Sequence, residues 1–390
     1  MNRREVKRAP TLRFKGFTND WEQRKLGEIA KVIGGGTPST KNSDYWNGNI
    51  NWYSPTEIGK SNYIFTSKKK ITKLGLENSS AKILPGKHTI LFTSRAGIGN
   101  MAIMQTDGCT NQGFQSWVID NNTNIYFLYS LGSDLKKEAI RKASGSTFLE
   151  ISNKEVKKIP LSIPSKHEQD KLGKLFLVLD NLLSLQQRKL KLLKEIRKGI
   201  VENIRDNNFE YKEQKNDFKD VKIKDMFKIT RGKVLPKEKI SSNKISPNIY
   251  PVFSSQTLNN GLLGFYKDYL FQNAITWTTD GANAGTVNFR NEKFYSTNVN
   301  GVLLQKKIKP DLLTADLLNL VAFKYVSKVG NPKLMNNTMA NIRIKIPSNT
   351  NARIFYSKIL NKYDTKIDFI NKKIDYLTTF KRFLLQNMFI

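Results

Sequence analysis

Few side chains in this sequence could catalyse a reaction. The 390 residues contain one cysteine, Cys109, and two histidines, His88 and His167. A thiolate beside an imidazole can act as a nucleophile, but we interpret Cys109 as a buried structural cysteine. A single cysteine also excludes an intramolecular disulfide and a multi-thiolate metal site, and two histidines exclude a histidine-rich one. We therefore predict no catalytic residues and no metal site in this chain.

The common nucleotide-binding and methyltransferase motifs are incomplete. Pro85–His88 has Ala81 where a Walker loop needs its first glycine, and Gly34–Pro38 lacks the spacing of a dinucleotide-binding loop. Asn331–Lys333 lacks the second proline and the aromatic ring of an adenine methyltransferase loop. Acidic residues two positions before a lysine, a pattern of some metal nucleases, occur about as often as chance predicts. The motifs do not favour an enzyme that acts alone.

Polar residues in glycine-containing loops form a second set of candidates. Their side chains can hydrogen-bond to base edges when a rigid frame holds them. Ordinary polar turns contain the same residue types, so the set carries more weight than any member. The candidate DNA-binding residues are Thr37, Lys41, Asn42, Ser94, Arg95, Asn100, Arg231, Lys233, Ser255, Gln256, Thr279, Asp280 and Asn283.

The charge of the chain favours a polyanionic partner. Lysine and arginine total 65 against 33 acidic residues, a net charge of +32. Such a surplus attracts nucleic acids or acidic membranes. No apolar run reaches membrane-spanning length and the first residues lack a signal core, so we predict a cytoplasmic protein without a membrane partner. Aromatic residues could stack on single-stranded bases, but most lie in apolar runs and are interpreted as core.

The sequence contains an internal repeat. Matches that keep their order along two halves of a chain indicate a duplication. Each half has short β-rich runs followed by Gly/Asn loops, and helical patterns at 126–142 and 312–328. The matched segments are Lys25–Gly35 with Lys222–Gly232, Thr93–Gly99 with Thr279–Gly285, Thr110–Asn111 with Thr297–Asn298, and Ile159–Pro164 with Ile342–Pro347.

Each half ends in a long amphipathic segment. Apolar residues alternate at spacings of four and three, the pattern of a coiled-coil seam, and each position aligns with one 184 residues later, as Leu179 does with Tyr363. Each helix could simply belong to its own domain, but the shared register favours pairing, and short connections favour an antiparallel pair. The seam residues are Leu179, Leu183, Leu190, Leu193, Ile200, Ile204, Tyr363, Ile367, Ile370, Ile374, Leu377, Leu384 and Met388.

These patterns predict an α/β (α+β) fold with pseudo-two-fold symmetry. Two tandem-duplicated globular domains are separated by two long helices that form an antiparallel coiled coil. A polar stretch, 206–217, is a natural boundary after the first helix. The predicted bounds are 1–20 for an N-terminal segment, 21–165 for the first domain, 166–206 for the central helix, 217–348 for the second domain and 349–390 for the C-terminal helix.

The sequence resembles the specificity subunit of type I restriction-modification systems. The similar segments are the opening residues 12–29, the loop at 90–99, residues 163–169 before the central helix, and the terminal helix. The resemblance covers nearly the whole chain. The second half departs from the family pattern at Asn349–Arg353, which replaces the usual Glu-Gln start of the helix.

The resemblance implies that each globular domain is a target-recognition domain for one half of a bipartite double-stranded DNA site. The helices would set the spacer and dock two modification subunits, which use S-adenosylmethionine to methylate adenine N6. Restriction subunits would add cleavage driven by ATP and Mg²⁺, while this chain binds no cofactor and is not itself an enzyme. A DNA- or RNA-binding architectural protein without sequence preference, and a stand-alone nuclease or methyltransferase, are the alternatives.

Overall fold

The computed structural model describes residues 9–145, 149–211, 214–215, 217–255 and 258–390. The chain forms two compact units. The first joins residues up to 186 with residues 373–390, and the second contains residues 187–372. Each unit therefore holds one globular domain and a part of both long helices. Among the described residues, no helix combines the length and the apolar composition that a bilayer crossing requires.

The first unit contains a five-stranded sheet in the order β2-β9-β6-β7-β4, a three-stranded sheet β5-β3-β8 and the pair β1-β10. Its strands are β1 (Glu22–Lys25), β2 (Ala30–Gly34), β3 (Trp46–Tyr53), β4 (Tyr63–Ile64), β5 (Lys69–Ile71), β6 (Thr89–Phe92), β7 (Met101–Met104), β8 (Gly108–Thr110), β9 (Gln115–Ile119) and β10 (Pro160–Ile163). Its helices are α1 (Leu26–Ile29), α2 (Lys73–Glu77), α3 (Ile125–Ser130), α4 (Gly132–Lys142), α5 (Asn153–Lys157) and the start of α6 (Lys166–Arg205).

The second unit contains a six-stranded sheet in the order β14-β19-β17-β18-β15-β16 and the pairs β11-β12 and β13-β20. Its strands are β11 (Glu210–Tyr211), β12 (Gln214–Lys215), β13 (Phe218–Lys222), β14 (Phe227–Arg231), β15 (Tyr250–Phe253), β16 (Leu262–Tyr266), β17 (Phe271–Thr278), β18 (Val287–Ser296), β19 (Asn300–Gln305) and β20 (Arg343–Pro347). Its helices are α7 (Ile223–Met226), α8 (Leu312–Ala322), α9 (Asn336–Asn341) and most of α10 (Thr350–Met388).

The two globular domains repeat one arrangement of strands. The antiparallel series β2-β9-β6-β7 corresponds to β14-β19-β17-β18. Gly35 and Gly232 follow the first strand of each series, where a Cβ would lie 1.9 Å from the carbonyl oxygen of Asn111 and 2.0 Å from that of Ser296. Only glycine permits such a close approach of two backbones. The predicted duplication is thus present in the fold.

Buried apolar residues form the core around these sheets. In the first domain β6 and β7 are buried along their whole length, as expected of continuous apolar runs. Phe92 stacks on Trp117 with ring centroids 4.6 Å apart. Cys109 is fully buried in a small cluster with Trp52 and Ile71, and burial raises the pKa of its thiol to about 12. The thiolate is therefore scarce at neutral pH, which fits a structural cysteine.

The long helices pack against each other in an antiparallel direction within each unit. In the first unit Phe176 of α6 contacts Phe389, the ring centroids being 5.3 Å apart, and Asp180 of α6 pairs with Lys381. Contacts thus move backwards along α10 as they move forwards along α6. Phe389 also stacks on Phe127 of the first domain and meets Trp21 edge to face. None of the predicted seam residues is exposed.

Two basic residues at polar positions of the seam pattern, Arg197 and Lys381, form ion pairs that repeat with the duplication. Asp180 aligns with Asp364 and Arg197 with Lys381, each 184 residues apart. Asp180 of α6 pairs with Lys381 of α10 in the first unit, and Asp364 of α10 pairs with Arg197 of α6 in the second. The helices exchange the acidic and basic roles between the units. Each pair also reaches the globular domain, because Asp180 accepts a hydrogen bond from the Tyr126 hydroxyl and Arg197 donates to Asp316.

The altered start of the second long helix keeps the contacts of the first. Gln169 Nε2 donates to the carbonyl oxygen of Pro164 at 3.0 Å, and Arg353 Nη1 donates to the carbonyl oxygen of Pro347 at 3.0 Å. Gln169 also accepts from the backbone N–H of Asn124, the N-cap of α3. Arg353 instead lies 3.5 Å from the carboxylate of Asp311, the N-cap of α8. An amide contact is therefore replaced by an ion pair at the same place.

Asp316 gives the second unit a pH dependence of its own. Burial raises the pKa of its carboxyl to about 6, although Arg197 acts in the opposite direction. The carboxyl of an unfolded chain titrates near 3.9. Between about pH 4 and pH 6 this carboxyl therefore holds a proton in the folded unit that the unfolded chain has released, and its contribution to stability falls as the pH rises through this range.

We predict that Asp316→Asn removes this dependence. The difference in unfolding free energy between wild type and variant should change by roughly 2–3 kcal/mol between pH 4 and pH 7, with the wild type gaining at low pH. Urea unfolding followed by circular dichroism at several pH values measures it. Asp368→Asn, at an exposed position of α10, is the matched control. Wild-type and Asp316→Asn curves that run parallel over the whole range would contradict the prediction.

Candidate nucleic-acid interface

The loop between β6 and β7, residues 93–100, presents one arginine to solvent. Thr93 Oγ1 donates to the carbonyl oxygen of Gly97 at 2.7 Å and accepts from the backbone N–H of Asn100 at 2.9 Å. The backbone of Ala96 and Gly97 has positive φ, which closes the loop tightly. Arg95 at its tip is exposed. The side chain of this threonine thus holds the loop that carries Arg95.

Other candidates in the first domain lie around the same loop and residues 111–113. The backbone N–H of Ser94 donates to the carbonyl oxygen of Gly113 at 2.8 Å, and Thr37 Oγ1 donates to Gln112 Oε1 at 2.6 Å. The 111–113 segment therefore joins the loops that carry Thr37 and Arg95. Ser94 is fully buried, so its hydroxyl could reach a base only if the loop opened.

The remaining first-domain candidates have partners or lie farther along the chain. Asn100 Oδ1 accepts from Lys136 Nζ at 3.1 Å. Asn42 caps a short turn, since its Oδ1 accepts from the backbone N–H of Asp44 at 3.0 Å. Lys41 beside it is exposed. Of these residues, Lys41 is the one placed to contact a phosphate without giving up an internal hydrogen bond.

In the second domain three candidates line one cavity of about 180 Å³: Arg231, Thr279 and Asp280. Thr279 Oγ1 donates to Asp280 Oδ2 at 2.8 Å, and the Asp280 carboxylate lies 3.9 Å from Lys333 Nζ. A guanidinium and a carboxylate at one concave surface provide both donors and acceptors for base edges. The structure therefore assembles these three residues into one candidate site.

The other second-domain candidates do not line this cavity. Lys233 is exposed, Ser255 is half-buried, and Asn283 is exposed within the loop between β17 and β18, residues 279–286. Gln256 lies outside the described residues. These positions remain individual candidates.

Sequence reasoning missed several amides at these sites. Asn298, Asn336 and Asn337 line the cavity with Arg231, and Gln112 bonds Thr37 in the first domain. The repeated Thr-Asn pair at 110–111 and 297–298 was the available signal, because it marks the same turn in both domains. Nothing in the local sequence marks Asn336 and Asn337, which reach the cavity from α9.

The structure corrects the alignment of the two loops by one residue. Sequence matching placed Thr93 opposite Thr279, with Ser94 and Arg95 opposite Asp280 and Gly281. In the fold, the carbonyl oxygen of Thr93 accepts from the N–H of Gly99, and that of Thr278 accepts from the N–H of Gly285. The loop of the second domain is therefore one residue longer.

The corrected alignment changes which residues correspond. The carbonyl oxygens of Ser94 and Thr279 accept from equivalent N–H groups, those of Ile151 and Leu334. Ser94 thus corresponds to Thr279, and both side chains are buried. The next residues are Arg95 and Asp280. Equivalent loops therefore carry opposite charges on the same frame.

Comparison with known proteins identifies the family. The sequence profile described as "Type I restriction modification DNA specificity domain" matches residues 18–195 and 215–379. The type I restriction enzyme MjaIX specificity subunit of Methanocaldococcus jannaschii is 28% identical over 334 residues, which cover 83% of this chain and 73% of that protein. A putative type I specificity subunit N-terminus from Mycoplasma pneumoniae is 45% identical over 134 residues, covering 33% of this chain and 70% of its own length.

Solved structures agree at the level of the fold. The crystal structure of the S subunit of a type I restriction-modification system from M. genitalium superposes with a TM-score of 0.72 at 14% sequence identity, covering 98% of this chain and 99% of that one. Together with the profile matches to both halves, this establishes that the chain belongs to the family of type I restriction-modification DNA specificity subunits, with two specificity domains in tandem.

Proposed function

We propose that each domain reads one half of a bipartite double-stranded DNA target. The observation that carries this proposal is the contrast between Arg95 and Asp280 at equivalent loop positions. A guanidinium can donate two hydrogen bonds to guanine O6 and N7, whereas a carboxylate accepts from cytosine N4. Two copies of one frame would then select different bases. The net charge of +32 supplies the contacts to phosphates that hold both domains on a duplex.

We further propose that the long helices dock two modification subunits. Both helices carry exposed apolar side chains outside the seam, which is the composition of a partner surface. Aromatic residues dominate the α10 part, as they do at the centres of protein interfaces. In the first unit these residues are Val178, Leu182, Leu185, Tyr376, Phe380 and Phe383, and in the second Leu192, Ile196, Ile354, Phe355 and Phe369.

In this proposal the chemistry belongs to the partners and this chain is not itself an enzyme. Modification subunits would bring S-adenosylmethionine and methylate adenine N6, and restriction subunits would bring ATP and Mg²⁺. The fully buried Cys109, with the pKa of its thiol raised to about 12 by burial, supports a structural rather than a nucleophilic role. No group of three or more His, Cys, Asp or Glu residues able to hold a metal occurs in the described part of the chain.

Co-expression of the chain with its modification subunit, followed by genome-wide mapping of methylated adenines, tests the proposal. We expect one motif with two short specified halves and an unspecified spacer of fixed length. A single contiguous motif would contradict reading by both domains. Methylation at adenines without any shared motif would favour an architectural role instead.

We predict that Arg95→Ala affects one half-site only. Loss of a base contact should reduce discrimination there by about 1–3 kcal/mol, while the other half-site keeps its preference. Binding to duplexes with single substitutions in either half measures this. Arg141→Ala removes another exposed arginine, paired with Glu138 on α4, and should leave both preferences intact. A uniform loss of affinity on all sequences would make Arg95 a phosphate contact.

We predict that removing one heptad from each long helix shortens the preferred spacer. Deletion of residues 187–193 and 371–377 takes out aligned heptads and shortens each helix by about 10 Å, or roughly three base pairs of axial rise. The mapped methylation motif reports the spacer. Replacing the same residues by heptads of equal length is the control and should preserve it. An unchanged spacer after the double deletion would contradict a role of helix length in spacing.

A further inference from the structure

One cation in the second domain is buried without a counter-ion. Arg290 on β18 is 9% exposed and forms no ion pair among the described residues. Its guanidinium lies 3.7 Å from the ring centroid of Phe253 and donates to the carbonyl oxygen of Asn260 and, at 3.4 Å, to Thr276 Oγ1. A guanidinium has five N–H donors. Burial lowers the pKa of Arg290 to about 10, the expected effect of desolvation on an isolated cation.

Arg290 borders a cavity whose walls are polar. The cavity has a volume of about 50 Å³. Besides Arg290, its lining residues are Ser254, Asn260, Gly261, Thr276, Thr278, Thr286, Asn288 and Asn300. None of the described lining residues is acidic. Asn300 is 3% exposed, and its Oδ1 has no hydrogen-bond partner. A buried amide oxygen without a partner is costly, and only a ligand group that donates a hydrogen bond could satisfy it.

The first domain shows that the fold does not require these polar residues. Leu91 pairs with Ala102 across β6 and β7 as Thr276 pairs with Asn288 across β17 and β18. Two residues after Ala102 comes Met104, the counterpart of Arg290.

Phe114 completes the correspondence. Phe114 forms an antiparallel β-bridge with Thr93, and Asn300 forms the equivalent antiparallel pair with Thr278. The four first-domain residues, Leu91, Ala102, Met104 and Phe114, are buried together in one apolar cluster. The same position is thus a packed apolar core in one domain and a polar cavity with a cation in the other.

The composition and size of the cavity define its ligand. A buried cation in a polar lining that is free of carboxylates favours an anion. A single water needs roughly 10–15 Å³ of such volume, so the cavity admits a group of about three to five heavy atoms. A phosphate group has about this size, whereas a purine base is about twice as large. We propose that the cavity is an oxyanion site that takes a tetrahedral phosphate group.

The phosphate can come from two sources, free inorganic phosphate or a DNA phosphodiester. The P–OH group of hydrogen phosphate could donate to Asn300 Oδ1, whereas a phosphodiester has no such proton. Occupation by DNA rests on the proposed function, whereas binding of inorganic phosphate does not. If phosphate does not bind, the methylation experiment is unaffected. If no bipartite motif is found, binding of inorganic phosphate can still be tested.

Thermal unfolding of the full chain in inorganic phosphate, against chloride at equal ionic strength and pH, tests the site. We expect the melting temperature of the wild type to rise by about 5 °C when phosphate reaches a hundred times its Kd. Asn300→Asp should abolish the rise, because the new carboxylate neutralises Arg290 and repels the anion. Asn291→Asp, an exposed neighbour of Arg290 on β18, adds the same charge and should keep the full response.

A second variant guards against loss of folding. Thr276→Leu, Asn288→Ala, Arg290→Met and Asn300→Phe together transplant the apolar residues of the first domain, which already pack on this frame. This variant should fold and show no phosphate response. Equal stabilisation by phosphate and chloride in the wild type, or an undiminished phosphate response in Asn300→Asp or in the transplant, would overturn the proposal.

Binding to a duplex of random sequence at several salt concentrations identifies the source. If a DNA phosphate occupies the site, the slope of log Kobs against log salt should fall by about 0.9 in Asn300→Asp relative to Asn291→Asp, and duplex should compete with inorganic phosphate. Equal slopes in the two variants would overturn occupation by DNA and leave free phosphate as the ligand.

Discussion

Both units depend on the antiparallel packing of α6 against α10. The seam brings together segments that are about two hundred residues apart in sequence, and each unit buries its part of the seam against its own globular domain. Two ion pairs between the helices fix the register of this packing. Asp180 with Lys381, and Arg197 with Asp364, place charges that are satisfied only in one register. A slip of one heptad would leave these partly buried charges without partners, which is destabilising.

The long-range periodic features could be predicted from the sequence, and the local ones could not. The spacing of apolar residues along the sequence predicts the seam, the order of the repeat and the buried strands β6 and β17. The correspondence of Thr93 with Thr278 could not be predicted. The loop of the second domain contains one more residue, and Thr93 and Thr278 are each followed by a serine or threonine that matches equally well. Hydrogen bonds decide that register. The candidate DNA contacts remain predictions, since polar loops have the same composition whether or not they bind a ligand.

Arg353 illustrates a second limit of sequence reasoning. Its segment departs from the family pattern, yet its guanidinium donates to the carbonyl oxygen of Pro347 as Gln169 donates to that of Pro164. The compensating residue, Asp311, lies at the start of a different helix. A substitution that looks disruptive in one segment is thus balanced by another about forty residues away. The duplicated domains share a backbone frame, while the chemistry inside it has diverged, from apolar around Met104 to polar around Arg290.

The place of Phe389 has a consequence for how the protein is made. This ring packs on Trp21, Phe127 and Phe176 in the first unit, but the ribosome adds it only after residues 187–372 of the second unit. At roughly 5–20 residues per second, Phe176 waits about 10–40 s, and Trp21 about 20–70 s, for the side chain that covers them. The earliest part of the chain to emerge is therefore among the last to be finished.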